Sequence, residues 1–235
     1  MLKAILFDLD QTLLDLDGDA FLDAYVEALA DHMAPLVSPE AFRKALWSAA
    51  TAALAVEHPG RTNHAVIWET IAAQLPVSAE SLEQQATAFN ATHLAHVYPG
   101  GGPKPGAHAV IHAARQRHLA MAVATTPIYD VTVIRERLRR AGLDTVSWDL
   151  IASDTFYTTK PHPTYFVEVA TRLGVAPREC LMVGDDFFAD LPARQVGMAT
   201  FYVGPLQRDL PVGPHGTLID LATQLAVTND LDDEQ

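Results

Sequence analysis

Two aspartates, Asp8 and Asp10, directly follow a short apolar segment near the start of the sequence. If a strand continued regularly to this point, positions i and i+2 would place both side chains on the same face. Two neighbouring carboxylates repel each other unless a proton or a cation separates their charges. An Asp-x-Asp pair by itself is more often a turn cap, but a bound metal ion is the simplest reason to bring both carboxylates together.

A second acidic group follows another apolar segment, where Gly184 precedes Asp185, Asp186 and, further on, Asp190. Carboxylate oxygens are the ligands that Mg²⁺ prefers in proteins. Helix capping explains one aspartate at such a position, but not three. The second group therefore favours a cation site, in which Asp186 is a ligand, a helix cap or a partner for a lysine.

Two further residues have side chains suited to binding an anion. Thr125 ends a very apolar segment, where its hydroxyl and the amides that follow can donate to an anion. Lys160 precedes Pro161 and Pro163, which predicts an extended or turn conformation ahead of a helix. Each of the two is weak evidence alone, because most lysines lie at the surface. Combined with the two acidic groups, in this order along the chain, they form a strong signal.

The segments that precede these residues have the pattern of buried strands. Continuous apolar runs, typical of strands covered on both faces, occur at 3–9, 119–124, 150–152, 180–183 and 199–203. Amphipathic segments of helical length lie among them, at 107–116, 128–141, 163–173 and 188–196. This alternation predicts an α/β fold with a doubly wound, Rossmann-like parallel sheet. Such sheets bind ligands at the carboxyl ends of their strands, where Asp8, Thr125, Asp154 and Asp185 fall.

Residues 16–98 interrupt this alternation and contain no clear strand. Four helices are predicted there, at 19–33, 39–56, 64–75 and 79–96. We interpret the segment as a small all-helical domain inserted into an α/β core that comprises residues 1–15 and 99–235. The glycine and proline residues of 98–103 predict a hinge, and residues 229–235 are expected to be a disordered acidic tail.

Composition narrows the class of protein. The 235 residues include 29 acidic and 16 basic side chains, which gives a net charge of −13. This charge opposes binding to nucleic acids and to anionic lipids, and no apolar run approaches the roughly 20 residues of a membrane span. The single cysteine, Cys180, fits a reducing compartment. We expect a cytoplasmic enzyme or small-ligand binder, without an obligate protein partner.

The combined motifs resemble those of the haloacid dehalogenase-like hydrolase superfamily, most of whose members are Mg²⁺-dependent phosphatases. The four family motifs are matched, in order, by Asp8, Asp10 and Thr12; by Thr125; by Lys160 and Pro161; and by Gly184, Asp185 and Asp190. The resemblance covers the predicted core, roughly residues 1–15 and 100–205. It also implies that residues 16–98 are the helical cap that members of this family carry between the first and second motifs.

The resemblance implies the following roles. Asp8 is the nucleophile that forms an aspartyl-phosphate, and Asp10 is the general acid and base. The expected catalytic set is Asp8, Asp10, Thr125 and Lys160. The groups expected to bind the phosphate are Leu9, through its main chain, and Thr125, Thr126 and Lys160. The expected Mg²⁺ ligands are Asp8, Asp10, Asp185 and Asp190, with Asp10 acting through its carbonyl. The substrate is then a small phosphorylated molecule.

Several alternatives remain at this point. Asp10 argues against dehalogenation, since an alkyl halide needs no proton on its leaving group. A β-phosphoglucomutase-like phosphotransferase would need cap residues that hold a sugar phosphate, for which 61–64 are candidates. A catalytically idle binding protein would have no use for repelling carboxylates. Gln11 stands where this family usually has glycine, and Asp154 resembles the acidic residue that often orients the lysine.

Overall fold

Five parallel strands form one sheet in the computed structural model, which describes residues 1–97, 100–206 and 211–232. In chain order the strands are β1 Ala4–Phe7, β2 Ala120–Val123, β3 Leu150–Ile151, β4 Cys180–Gly184 and β5 Ala199–Tyr202. Their order in the sheet is β3-β2-β1-β4-β5. The predicted doubly wound parallel sheet is confirmed, and β1 lies at its centre.

Strand β1 is buried on both faces, which explains its continuous apolar sequence. Ile5 and Phe7 belong to one apolar cluster and Ala4 and Leu6 to another, as expected when successive side chains alternate between faces. Phe7 is paired in register with both Val123 and Val183. The residues that follow β1, β2 and β4 are therefore brought to a common edge.

Four helices cover the two faces of the sheet: α5 Ala107–Gln116, α6 Val131–Arg140, α7 Pro163–Leu173 and α8 Leu218–Asp232. The bounds of α5 and α7 agree with the prediction, and Gly174 ends α7 in the left-handed conformation, with φ of 71°. Helix α8 was not predicted. The expected disordered tail, 229–235, overlaps its end as far as Asp232, and its last three residues lie outside the described residues.

The prediction of a helix over 188–196 was wrong in type and in start. The structure has a 3-10 helix at Leu191–Val196 instead. The Asp186 carboxylate accepts hydrogen bonds from the main-chain amides of Phe188 and Ala189. These bonds close a local turn over 187–190, and the helical segment begins only after it, at Leu191.

The segment between β1 and β2 forms four helices, α1 Gly18–His32, α2 Pro39–Ala55, α3 Asn63–Ala72 and α4 Ala79–Thr92. Each is preceded by an N-cap residue whose side chain accepts a hydrogen bond from a main-chain amide of the first turn, namely Asp17, Ser38, Thr62 and Ser78. We call α1–α4 the cap helices. Their apolar residues are continuous with those on one face of the sheet, so the division into two domains stays an interpretation. Within the described ranges, no helix is long and apolar enough to cross a membrane.

The two connections between the sheet and the cap helices run side by side. The amide of Asp15 donates to the Gly102 carbonyl at 2.8 Å, and that of Lys104 donates to the Leu13 carbonyl at 2.9 Å. Paired connections of this kind fit the predicted hinge at 98–103, although Tyr98 and Pro99 lie outside the described residues.

Candidate active site

A cavity of about 650 Å³ opens at the carboxyl edge of the sheet, between the strand ends and the cap helices. Seven of the eight site residues predicted from the sequence line it: Asp8, Asp10, Thr125, Thr126, Lys160, Asp185 and Asp190. The eighth, Leu9, has a fully buried side chain, so it can offer the cavity only main-chain groups.

Lys160 lies at the centre of the site and is only 4% exposed. Its Nζ donates to Asp8 Oδ1 at 2.7 Å and to Asp190 Oδ1 at 2.5 Å. Burial opposes the charge of this ammonium group, but the carboxylates of Asp190 and Asp8 outweigh burial and raise the pKa of Lys160. The lysine therefore stays protonated and holds the predicted nucleophile in place.

Three carboxylates converge beside the lysine. Asp8, Asp185 and Asp190 each offer an oxygen atom, and these atoms lie within 4.8 Å of one another. Burial, followed by the charge of Asp8, raises the pKa of Asp185 to about 6, and Thr12 Oγ1 donates to its Oδ1 at 2.9 Å. A partly buried, all-oxygen group with this excess of negative charge fits a hard divalent cation such as Mg²⁺.

Asp190 and Asp186 have different environments, which separates their roles. Asp190 is fully buried and uses both carboxylate oxygens, since Oδ1 accepts from Lys160 and Oδ2 accepts the Asp186 amide at 3.0 Å. The Asp186 carboxylate is bonded to neighbouring amides in its own turn. Of the roles considered for Asp186, the structure supports capping of main-chain amides, in the turn that precedes Leu191. A Cβ at Gly184 would overlap the Asp190 carboxylate, which explains the glycine before Asp185.

Asp10 is paired with an arginine that the sequence analysis did not identify. Arg137 Nη1 on α6 donates to Asp10 Oδ2 at 2.5 Å. Burial raises the pKa of Asp10, and the nearby Arg137 guanidinium opposes that shift only in part. Helical spacing could have revealed Arg137, because it falls on the same buried face of α6 as Val133 and Ile134.

Two contacts fix the backbone around the predicted phosphate site. Tyr165 Oη, buried under the sheet edge, donates to the Thr125 carbonyl at 2.8 Å. Tyr165 was also missed, and no sequence motif pointed to it. Gln11 has a φ of 58°, in the left-handed region that favours glycine. This geometry explains why the family usually has glycine here, and the Gln11 side chain accepts a hydrogen bond from Lys104.

Asp154 does not orient Lys160, so that expectation was wrong. Its Oδ2 is bonded to Nδ1 of His64 on α3, at 2.8 Å. The hydrogen bond to Asp154 raises the pKa of His64 to about 9. Asn63 is buried, and its Nδ2 donates to the carbonyls of Pro127 and Thr158, at 3.0 and 3.1 Å. These cap residues dock α3 onto the loops that carry Thr125 and Lys160.

The predicted site residues line a cavity at the carboxyl edge of a doubly wound sheet, beneath inserted helices. A family model for haloacid dehalogenase-like hydrolases matches residues 2–196, and the chain belongs to that family.

Comparison with individual proteins gives the same class. The chain is 28% identical to a phosphoglycolate phosphatase of Xylella fastidiosa, over 83% of this chain and 77% of that one. It is 27% identical to a glyceraldehyde 3-phosphate phosphatase of Pyrococcus abyssi, over 86% and 81%. A solved HAD phosphatase from Thermococcus onnurineus has a TM-score of 0.56 at 21% identity, covering 95% of this chain and 98% of that one. This last likeness concerns the fold.

Proposed function

We propose that the protein is a Mg²⁺-dependent phosphatase that hydrolyses a small phosphorylated metabolite through an aspartyl-phosphate at Asp8. The observation that carries the proposal is the position of Asp8, whose carboxylate is held by Lys160 in the same cavity as Asp10. The names of the two relatives, both phosphatases of small phosphorylated compounds, support it.

In the first half of the reaction, an oxygen of Asp8 attacks phosphorus and the bond to the leaving oxygen breaks. Asp10 donates its proton to that oxygen, so the product leaves as an alcohol. Lys160 and the hydroxyls of Thr125 and Thr126 bind the phosphoryl oxygens while charge redistributes over them.

In the second half, water attacks the phosphorus of the aspartyl-phosphate while Asp10, now ionised, takes the proton of that water. The bond between phosphorus and Asp8 breaks, which releases inorganic phosphate and restores both carboxyl groups. Asp10 thus needs access to a proton in both halves, and the raised pKa of its carboxyl group favours the protonated form that starts the cycle.

The residues that would hold Mg²⁺ are Asp8, Asp185 and the main-chain carbonyl of Asp10, with Asp190 beside them. The cation supplies positive charge that lets an anionic carboxylate approach an anionic phosphoryl group. Asp190 also positions Lys160, since their ion pair is buried.

Binding of Mg²⁺ should stabilise the protein more at pH 7.5 than at pH 5. The pKa of Asp185 is raised to about 6 in the folded state, so folding takes up protons between the unfolded and folded pKa values. Without metal, stability therefore falls as pH rises from about 4 through 6, and Mg²⁺ offsets this loss by binding the ionised carboxylates. Thermal unfolding at both pH values, with and without Mg²⁺, measures the effect. Equal shifts at the two pH values, or an undiminished shift in Asp185→Asn, would contradict the assignment.

Asp10→Asn tests the proposed chemistry through the leaving group. An alkyl phosphate such as glycerol 3-phosphate needs a proton on its leaving oxygen, whereas p-nitrophenyl phosphate does not. We expect kcat/KM to fall by roughly 10²–10⁴-fold for the alkyl ester and by much less for the aryl ester. Asp23→Asn, at an exposed position of α1, is the matched control. Equal losses for both esters would remove Asp10 from the role of general acid.

The large apolar side chains that line the cavity are Leu22 and Leu54 of the cap helices and Ile128 and Tyr129 of the loop after Thr126, and we call these four the apolar wall. We propose that this apolar wall contacts the leaving group and favours a small alcohol, while the cap excludes water from the reacting atoms. The phosphoglucomutase alternative requires cap side chains that bind a sugar phosphate, but Asn63 and His64 are bonded to the core instead. A cytoplasmic location stays a prediction, based on the single cysteine.

A further inference from the structure

Arg137 is charged and yet only 1% exposed, which calls for an explanation. A buried guanidinium is unfavourable unless a carboxylate and hydrogen-bond acceptors compensate it. Among the described residues, Asp10 is the acidic group with which Arg137 forms an ion pair. Its Nε and Nη2 are buried without a hydrogen-bond partner among the described residues, so the bond from Nη1 to Asp10 is the polar contact that accounts for an arginine on this face of α6.

Aromatic rings fix the orientation of this guanidinium. Its central carbon lies 4.5 Å from the centre of the Tyr129 ring and 5.4 Å from that of Phe21. Tyr129 belongs to the loop after Thr126, and Phe21 belongs to cap helix α1. Contacts of this type orient arginine more strictly than lysine, because the guanidinium is planar. Arg137 therefore offers Nη1 to Asp10 from a defined position.

The two oxygens of Asp10 have different surroundings. Oδ2 accepts from Arg137, and a Cβ at Gly18 would lie only 3.3 Å from this oxygen. Oδ1 is buried and has no hydrogen-bond partner among the residues that the structure describes. A buried carboxylate oxygen without a hydrogen-bond donor is unfavourable. A substrate or a water molecule bound in the cavity would supply that donor to Oδ1 during the reaction.

We propose that Arg137 is a positioning residue for Asp10: it holds Oδ2 and thereby keeps Oδ1 available for the proton. The proton leaves Oδ1 for the leaving oxygen as the ester bond breaks. Oδ1 then takes a proton from water as the aspartyl-phosphate is hydrolysed. This inference rests on the proposed function, in which Asp10 is the general acid and base.

The test compares R137Q with the wild type on glycerol 3-phosphate and on p-nitrophenyl phosphate, in the presence of Mg²⁺. Loss of positioning should lower kcat/KM for the alkyl ester by about 10²-fold. The aryl ester should lose less than about 5-fold, since its leaving group needs no general acid. R135Q, at an exposed position of the same helix, is the control and should behave as the wild type on both esters.

A double-mutant cycle distinguishes positioning from a separate role. If Arg137 acts through Asp10, R137Q adds no further loss in a D10N background. Equal losses for the two esters, or additive losses in D10N, would overturn the proposal, because they indicate substrate binding or a structural role. If D10N itself does not discriminate between the esters, the proposed function fails; if D10N does and R137Q does not, only this inference fails.

R137K covers the case in which R137Q does not fold. Lysine keeps the cation but not the planar donor geometry, so we expect an intermediate loss of about 10-fold for the alkyl ester. The kcat/KM for the aryl ester should be nearly unaffected by R137K. A folded R137K enzyme whose kcat/KM falls equally for both esters would overturn the proposal.

Discussion

Replacing Asp8 with asparagine is expected to abolish turnover while the protein stays folded. Asparagine has nearly the same shape and can still accept the hydrogen bond from Lys160, but its amide cannot attack phosphorus. We expect kcat to fall by at least about 10⁴-fold on any phosphate ester. Steady-state rates with saturating Mg²⁺ measure the loss, and Asp23→Asn controls for removal of an acidic side chain.

Stability provides the second readout for Asp8→Asn. Burial and, less strongly, the charge of Asp8 raise the pKa of both Asp185 and Asp190, so removal of that charge relieves repulsion within the site. Without metal, the melting temperature should therefore be unchanged or higher than that of the wild type. A variant that unfolds, or one that is folded and retains near-wild-type rates, would contradict the role of Asp8 described here.

Lys160→Met is expected to have the largest effect on stability. The substitution removes the cation between Asp8 and Asp190, and the latter is completely buried. Breaking a buried ion pair from one side costs about 3–5 kcal/mol, and activity should fall by about 10³-fold, since the phosphoryl oxygens lose a cationic partner. Urea unfolding and steady-state kinetics measure the two effects.

The stability that Lys160→Met loses should depend on pH, because the loss comes from the buried carboxylate of Asp190. Burial raises the pKa of Asp190, and without Lys160 it would rise further. The neutral carboxyl group is tolerated at low pH, so the stability gap between variant and wild type should be smaller at pH 5 than at pH 7.5. Lys44→Met, at an exposed cap position, should change stability little at either pH. A pH-independent gap would mean that Lys160 contributes by packing alone.

Much of the fold could be predicted from the sequence because the strong local signals agree with the tertiary structure. The apolar run before Asp8 is buried on both faces of the sheet, and Pro163 and Gly174 delimit α7 as expected. Helix α8 was missed although Leu218, Leu221 and Leu225 have helical spacing and are buried. The acidic residues at the end of the sequence favoured a disordered tail, and the apolar spacing that precedes them was not interpreted as a helix.

The site likewise contains residues that could be predicted from the sequence and residues that could not. Asp8, Lys160 and Asp185 could be placed together because they follow elements whose topology brings them to one edge. The partners of these residues could not be predicted from motifs. Arg137 reaches Asp10 only because α6 packs beneath the cap, and Asp154 contacts His64 only because α3 docks on the core. Such pairs depend on the packing of elements distant in sequence.

The most direct test of the central claim is the mass of the Asp10→Asn protein after brief reaction with p-nitrophenyl phosphate and Mg²⁺, followed by acid quenching. The aryl ester needs no acid to phosphorylate Asp8, while hydrolysis of the aspartyl-phosphate needs the missing base, so the intermediate should accumulate. We predict one phosphoryl group per chain, located by peptide mapping at Asp8 and absent from the Asp8→Asn, Asp10→Asn double variant. Release of p-nitrophenol by the Asp10→Asn protein without any phosphoryl group on Asp8 would contradict the account.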